Sequence, residues 1–252
     1  MKKIFQPLDG RWQEHAELGV LRSVLDPQNA DNRKNNYLHS LHTQAVKSIL
    51  PETKNLDVLD FGCGTGRFSK LLSEKARRVI GFDITPEMIR TAQKENNSSN
   101  IAYGIIDGIS LPLKNASVDF IFSVWVLQYA AREQTTYRKI IEEFKRVLRP
   151  GGRFFALEQV SFADESNLLP ECTLRLDDYL TTLENFFLIE KAYPVQGGRK
   201  RSFLQKLVQK RRVPVFCYPL ICNIAISRMQ KVRPSDLAKY PYVDYVLYGT
   251  LK

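Results

Sequence analysis

In the stretch VLDFGCGTGRFS, from Val58 to Ser69, glycines stand at 62, 64 and 66 directly after an apolar run. Glycine weakens strands and helices alike, so three in five residues imply a sharp turn or a backbone that must lie flat against a ligand. Asp83 ends a second apolar run, 21 residues after Gly62, and Asp107 ends a third. A carboxylate at the end of the second strand accepts hydrogen bonds from ribose hydroxyls. One at the end of the third can accept from an exocyclic adenine amine. Gly62, Gly64 and Gly66 with Asp83 and Asp107 therefore describe a nucleoside pocket. The spacing is GxGxG, not the GxGxxG of a dinucleotide loop, and the GK[ST] ending of a phosphate-binding loop is absent. Asp60 stands beside the loop, where a carboxylate would repel a pyrophosphate and suits a cationic ligand.

The elements that must position these residues follow from periodicity. Short apolar runs at 57–61, 78–83, 101–106, 118–124 and 153–160 alternate with amphipathic stretches at 67–75, 86–94 and 135–148. Regular strand–helix alternation implies βαβ units and a parallel, doubly wound sheet. Pro86 suits a first helical turn with Thr85 before it, and RPGGR at 149–153 ends the last of these helices. An earlier helix is expected over 36–50, with Leu38, Leu41 and Ala45 on one side. Later come a helix at 176–184, a run at 186–193, and a Tyr- and Val-rich strand at 242–251 that closes the chain. The fold class read from this pattern is α/β.

At this point the segments LDFGCGTGRFS, GFDITPEMI, IIDGISLPLKNASVDFIFSVWVLQY and EFKRVLRPGGRFF resemble, in order, the motifs of class I S-adenosylmethionine-dependent methyltransferases. The likeness covers roughly residues 56–160 and is nearest to the small-molecule, ubiquinone-biosynthesis-like, type-11 branch. It implies a seven-stranded sheet, mostly parallel with an antiparallel last strand. It also implies residue roles. Asp60, Gly62, Gly64 and Gly66 would line the methionine part of S-adenosylmethionine, and Asp83 would hold the ribose. Ile84 and Met88 would pack on the adenine, Asp107 would bind its amine, and Ser123 would sit beside the methionine moiety.

Methyl transfer from a sulfonium is an in-line displacement, so positioning carries much of the rate. A hydroxyl acceptor must still lose a proton. Many relatives carry two histidines after the fourth strand, where this chain has Gln128 and Tyr129, so no residue takes a firm catalytic role. Glu158, near the end of the fifth strand, and His15, near Trp12, are the candidates. Each is weighed against a plain structural role, a satisfied salt bridge in the case of Glu158. His39 and His42 read as helix-surface residues. No NPPY-like turn and no Pro-Cys dipeptide is present, which sets aside amino-methylating nucleic-acid enzymes and cytosine-C5 chemistry. The expected activity is O-methylation of a small-molecule, sugar or lipid-linked acceptor. The alternatives are an RNA methyltransferase and a non-catalytic S-adenosylmethionine-binding partner protein.

The net charge of +10 is local. Between Arg199 and Arg233 lie ten basic residues and no acidic one, which leaves 27 Lys and Arg against 27 Asp and Glu elsewhere. The apolar run VPVFCYPLICNIAIS sits inside this segment, too short to span a bilayer and broken by Pro214 and Pro219. Cations beside an apolar element suit an anionic membrane surface, a solvated cap over the site, or an anionic substrate. Nucleic acid is the weaker reading, since the segment has only Phe203, Phe216 and Tyr218 for stacking. The expected organisation is an N-terminal helical lid over 1–50 and a methyltransferase domain over 51–252, with a basic and apolar insertion at about 197–240. The four cysteines form no CxxC pair and no metal-like spacing, so no metal is expected. The basic start lacks the apolar core of a secretion signal. The location that follows is cytoplasmic, peripheral at the inner membrane face.

Overall fold

The computed structural model describes residues 11–49, 53–130, 133–162, 174–198, 208 and 213–252. Strands β1 (Asp57–Phe61), β2 (Arg78–Asp83), β3 (Ile101–Ile105), β4 (Val118–Val124) and β5 (Leu148–Ser161) pair in parallel. Strand β8 (Val243–Leu251) runs antiparallel to β5 and to β7 (Phe187–Gly197), which closes the other edge. The order is β3-β2-β1-β4-β5-β8-β7, and a two-residue β6 (Leu174–Arg175) pairs with the end of β5. This is the doubly wound sheet that the strand–helix alternation predicts, with the antiparallel last strand that the methyltransferase resemblance implies. Its direction reverses between β1 and β4, and a ligand site is expected outside the carboxyl ends of those strands.

Helices α1 (Arg11–His15) and α2 (Arg33–Ile49) precede the sheet. The helices α3 (Arg67–Ser73), α4 (Pro86–Glu95), α5 (Leu127–Ala130) and α6 (Gln134–Val147) are followed by α7 (Leu176–Glu184), α8 (Tyr218–Met229) and α9 (Pro234–Leu237). Successive strand side chains point to opposite faces, so each central strand feeds two apolar layers. Val58, Phe122, Phe155 and Leu157 face one core with α2, α3 and α8. Leu59, Ile121, Phe154 and Ala156 face the other with α6 and α7. The central strands are mostly apolar on both faces because neither face meets water.

The helices expected at 36–50, 67–75, 86–94, 135–148 and 176–184 are present, with ends that agree to within three residues. Helix α2 begins earlier, at Arg33, where Asp31 accepts the Arg33 N–H at 3.1 Å. The first part of the basic segment, 199–212, lies outside the described residues, apart from Val208, which is buried in the α2–α8 core. Among the described residues no helix is long and apolar enough to cross a membrane.

Candidate active site

The turn after β1 is drawn tight against β2. The N–H groups of Gly62 and Cys63 both donate to the Phe82 carbonyl, at 2.8 and 2.9 Å. Gly62, Gly64 and Gly66 all hold positive φ, at +69°, +52° and +76°, which L side chains rarely adopt. The space a Cβ would fill is taken by protein in each case. At Gly62 it would overlap the Val126 side chain, at Gly64 it would come within 2.8 Å of Val24, and at Gly66 it would overlap the Tyr103 hydroxyl. The loop can thus lie between the β4–α5 turn, the N-terminal segment and β3.

Beside this loop is a cavity of about 310 Å³, within the range of small-molecule sites. Asp60, Gly62, Gly64, Asp83, Ile84 and Met88 line it. Gly66, Asp107, Ser123, Glu158 and His15 are not among its lining residues. Ser123 Oγ donates to Glu158 Oε1 at 3.2 Å, and both side chains are buried. Asp107 is exposed and its carboxylate accepts from the Ile109 and Ser110 N–H groups and the Ser110 hydroxyl, closing its own turn. His15 packs edge-on against Trp12, whose ring does line the cavity.

Each lining carboxylate has a distinct environment. Asp83 accepts the N–H of Gly64 and of Thr85, both at 2.9 Å, so the end of β2 clamps the glycine loop. Burial pushes its carboxyl above the ordinary range, against those hydrogen bonds. Asp60 accepts from the Ser69 hydroxyl at 2.5 Å, and burial pushes it up to about 7, with the Ser69 bond and the Arg67 charge opposing. Near neutral pH Asp60 is poised between its two forms, and a bound cation would favour the carboxylate.

Glu158 accepts the Val126 and Gln128 N–H groups, at 3.2 and 3.3 Å, as well as the Ser123 hydroxyl. Backbone donors thus occupy it in place of the salt bridge weighed from the sequence. It shapes the turn that carries Val126 and Tyr129 to the cavity. Burial pushes its carboxyl up to about 7. An acid held protonated in the native state to higher pH than its ordinary value of 4.5 makes stability fall as pH rises from about 4.5 to 7. Glu158→Gln is expected to lessen that fall, by at most about 3 kcal/mol. Urea unfolding across pH checks it, and parallel pH curves for the two proteins would contradict it. Asp60 contributes a fall of the same sign in both.

Sequence reasoning missed the rest of the lining. Trp12 and Val24 reach it from the N-terminal segment, which is pinned by the Thr65 hydroxyl donating to the Val20 carbonyl at 2.9 Å. Trp12 and Tyr129 meet edge to face at 5.8 Å. Trp125 also lines the cavity, with φ of +60°, a conformation that costs a bulky residue strain. It is held by its N–H to the Leu157 carbonyl at 2.9 Å and by its indole N–H to Asp244 Oδ1 at 3.2 Å. Arg67, the first residue of α3, is the cation of the lining, with its guanidinium 4.2 Å from the Phe68 ring.

The histidines of α2 stand elsewhere than expected. His42 is fully buried and His39 half-buried, because α2 is covered by the sheet on one flank and by α8 on another. Arg67 approaches Nδ1 of His39 at 3.3 Å and of His42 at 3.5 Å. An arginine can only donate, so both Nδ1 atoms accept. Burial, with the Arg67 charge, pushes His39 down to about 4, and burial pushes His42 down against the pull of Asp244. Both rings are neutral at pH 7. Burial pushes Arg67 down to about 9, which leaves it charged.

Asp244 of β8 is fully buried and joins this cluster, with Gln196 Nε2 donating to it at 2.6 Å. Asp244→Ala would strand the indole and amide donors. The expected cost is about 2–4 kcal/mol, read as a lower urea midpoint with an unchanged slope. A midpoint within error of the wild type would show that the carboxylate does not organise Trp125.

The sheet order and the glycine-loop cavity at its switch point agree with the fold that the resemblance to class I S-adenosylmethionine-dependent methyltransferases implies. Residues 59–156 match the family model of a methyltransferase domain. The chain is 34% identical over 125 residues to phosphoethanolamine N-methyltransferase 1 of Caenorhabditis elegans, across 49% of this chain and 25% of that one. It is 29% identical over 174 residues to the malonyl-[acyl-carrier protein] O-methyltransferase of Pectobacterium atrosepticum, across 69% and 63% of the two chains. The chain thus spans between a quarter and 63% of the length of these curated relatives. Among solved structures, phosphoethanolamine N-methyltransferase 1 of Haemonchus contortus, in complex with phosphoethanolamine and S-adenosylhomocysteine, superposes with a TM-score of 0.57. That match is 21% identical and covers 95% of this chain and 47% of the other, which shows the shared fold.

Proposed function

We propose that this chain is an enzyme that transfers the methyl group of S-adenosylmethionine to an oxygen of a small-molecule, sugar or lipid-linked acceptor. The observation that carries the reading is the joining of Gly62, Gly64, Asp60 and Asp83 in one cavity at the switch point of the sheet. The donor set suits the cofactor part by part. Asp83 offers a carboxylate to the ribose hydroxyls, and Ile84 and Met88 offer apolar flanks to the base. A zwitterionic amino-acid end needs one charge of each sign, and Asp60 and Arg67 supply them. The cofactor, when bound, supplies an electrophilic methyl on a sulfonium.

The protein's own work is then positional. Asp244 and the Leu157 carbonyl hold Trp125 in its strained conformation at the cavity, and Glu158 fixes the turn that presents Tyr129. The described part of the N-terminal segment, 11–49, acts as a lid, with Trp12 and Val24 lining the site. The described lining includes carboxylates at Asp60, Asp83 and Glu133 but no histidine. An acceptor oxygen that arrives ionised, as a carboxylate or an acidic phenol does, needs no base. That chemistry suits this lining.

The test is incubation of the protein with methyl-labelled S-adenosylmethionine and a cell extract, followed by partition of the label. Label in the organic-extractable or polar small-molecule fraction supports the proposal. Label released by nuclease would replace it with RNA methylation.

A further inference from the structure

Helix α8 is apolar on both of its faces. Tyr218, Cys222, Ile226 and Met229 are buried on the inner face, where α8 meets α2. On the outer face Leu220 and Ile224 are exposed by 67% and 39%, and in the 3-10 turn that leads into the helix Phe216, four residues before Leu220, and Val215 are exposed by 83% and 59%. Residues four apart lie in one row along a helix. Arg228 continues that row, and Lys231 and Arg233 follow it, all three exposed. The described chain has six exposed large hydrophobic residues, and four of them are these. Exposed large apolar side chains clustered in one row, and rimmed by polar residues, mark an interaction site, so this row is built to be covered.

We infer that the α8 face docks on an anionic lipid membrane. Charge selects this occupant. Residues 199–233 hold ten cations and no acid, equal to the whole net charge of +10. An anionic leaflet attracts such a segment, and apolar side chains beside it add the second contribution that stable interfacial binding needs. At 12 residues α8 is too short to span and can lie in the interfacial plane. Nucleic acid would match the charge, but it offers nothing to Val215, Leu220 and Ile224, which have no stacking surface. An ordinary protein interface core is poor in charge, and this row ends in it.

The docked face lies one helix away from the cavity. The Tyr37 and Tyr218 rings meet at 6.2 Å across α2 and α8, and α2 carries His39 and His42 to Arg67. A bilayer on α8 is therefore close to the site that takes the acceptor, which is where a lipid-linked acceptor would be met.

The experiment is vesicle cosedimentation of the full chain, with phosphatidylcholine alone and with phosphatidylcholine doped with phosphatidylglycerol. The wild type is expected on the anionic vesicles, about tenfold more tightly than on neutral ones, and less so as salt rises. Two paired variants divide the contributions. Phe216→Ser with Leu220→Ser removes the apolar row, and Arg228→Glu with Lys231→Glu reverses the charge. Each pair is expected to weaken binding about tenfold, with S-adenosylhomocysteine still titrating as for wild type. Wild-type protein that stays in the supernatant, or pairs that bind as the wild type does, would overturn the inference. So would a vesicle-free dimer that only the serine pair dissociates, since the face would then be an interface between copies. RNA binding lost in the charge pair and kept in the serine pair would overturn it in favour of nucleic acid.

Discussion

Asp83→Ala is expected to weaken S-adenosylhomocysteine binding by at least about a hundredfold. Two hydrogen bonds from the ribose to a charged acceptor would be lost, at about 1.5–3 kcal/mol each. The protein carries its own reporter, because both of its tryptophans, Trp12 and Trp125, line the cavity. Their fluorescence should change on binding and saturate at far higher ligand concentration in the variant. Asp83 has a second task, clamping the loop through Gly64 and bonding Thr85. The two roles separate with a dideoxy analogue lacking both ribose hydroxyls. If Asp83 holds the ribose, wild type discriminates against the analogue and Asp83→Ala does not. Equal discrimination by both proteins would leave Asp83 as a loop clamp only. Asp83→Asn retains one acceptor oxygen and is expected to fall between them.

The second large effect is on stability. Gly62→Ala must hold alanine at φ of +69° and push its methyl into Val126. Backbone strain and overpacking together cost about 2–4 kcal/mol. For a chain of this size the melting temperature should fall by about 5–15 °C. Val126→Ala removes the two methyls that the new methyl would overlap, so the double variant should lose less than the sum of the single losses. Strict additivity would show that φ alone makes the position glycine. By contrast Gly151, also at positive φ, has nothing within 4 Å of its would-be Cβ, and alanine there meets only the backbone strain.

These two residues also mark how far the sequence could be read. Gly62 and Asp83 declare themselves because a glycine turn and a strand-end carboxylate are local signals, carried by residue type and a fixed spacing. The strands are legible for the same reason, since burial on both faces leaves short, mostly apolar runs. What lies across the cavity was hidden. Nothing in the local sequence says that Trp125 adopts a left-handed backbone. That depends on Leu157 and Asp244, far along the chain. His42 reads as surface on a helix taken alone, and becomes interior once α2 packs against Trp125 and Asp244. Gly66 looked like a third residue made for the ligand, yet Tyr103 fills the space over it. Glu158 looked like a base aimed at the site and is spent on the backbone of the β4–α5 turn. Arg67 stood in plain view after the glycines. Its partners, two histidines on a preceding helix, come together only in the fold.

The most direct test of the central claim is calorimetric titration of the wild-type protein with S-adenosylmethionine, and separately with a nicotinamide dinucleotide. The account predicts one S-adenosylmethionine per chain and no binding of the dinucleotide. It further predicts proton release near pH 7, seen as heat that varies with the ionisation enthalpy of the buffer, as Asp60 gives up its proton to face the cationic ligand. Binding of the dinucleotide in preference, or no heat from S-adenosylmethionine, would contradict the assignment of the cavity.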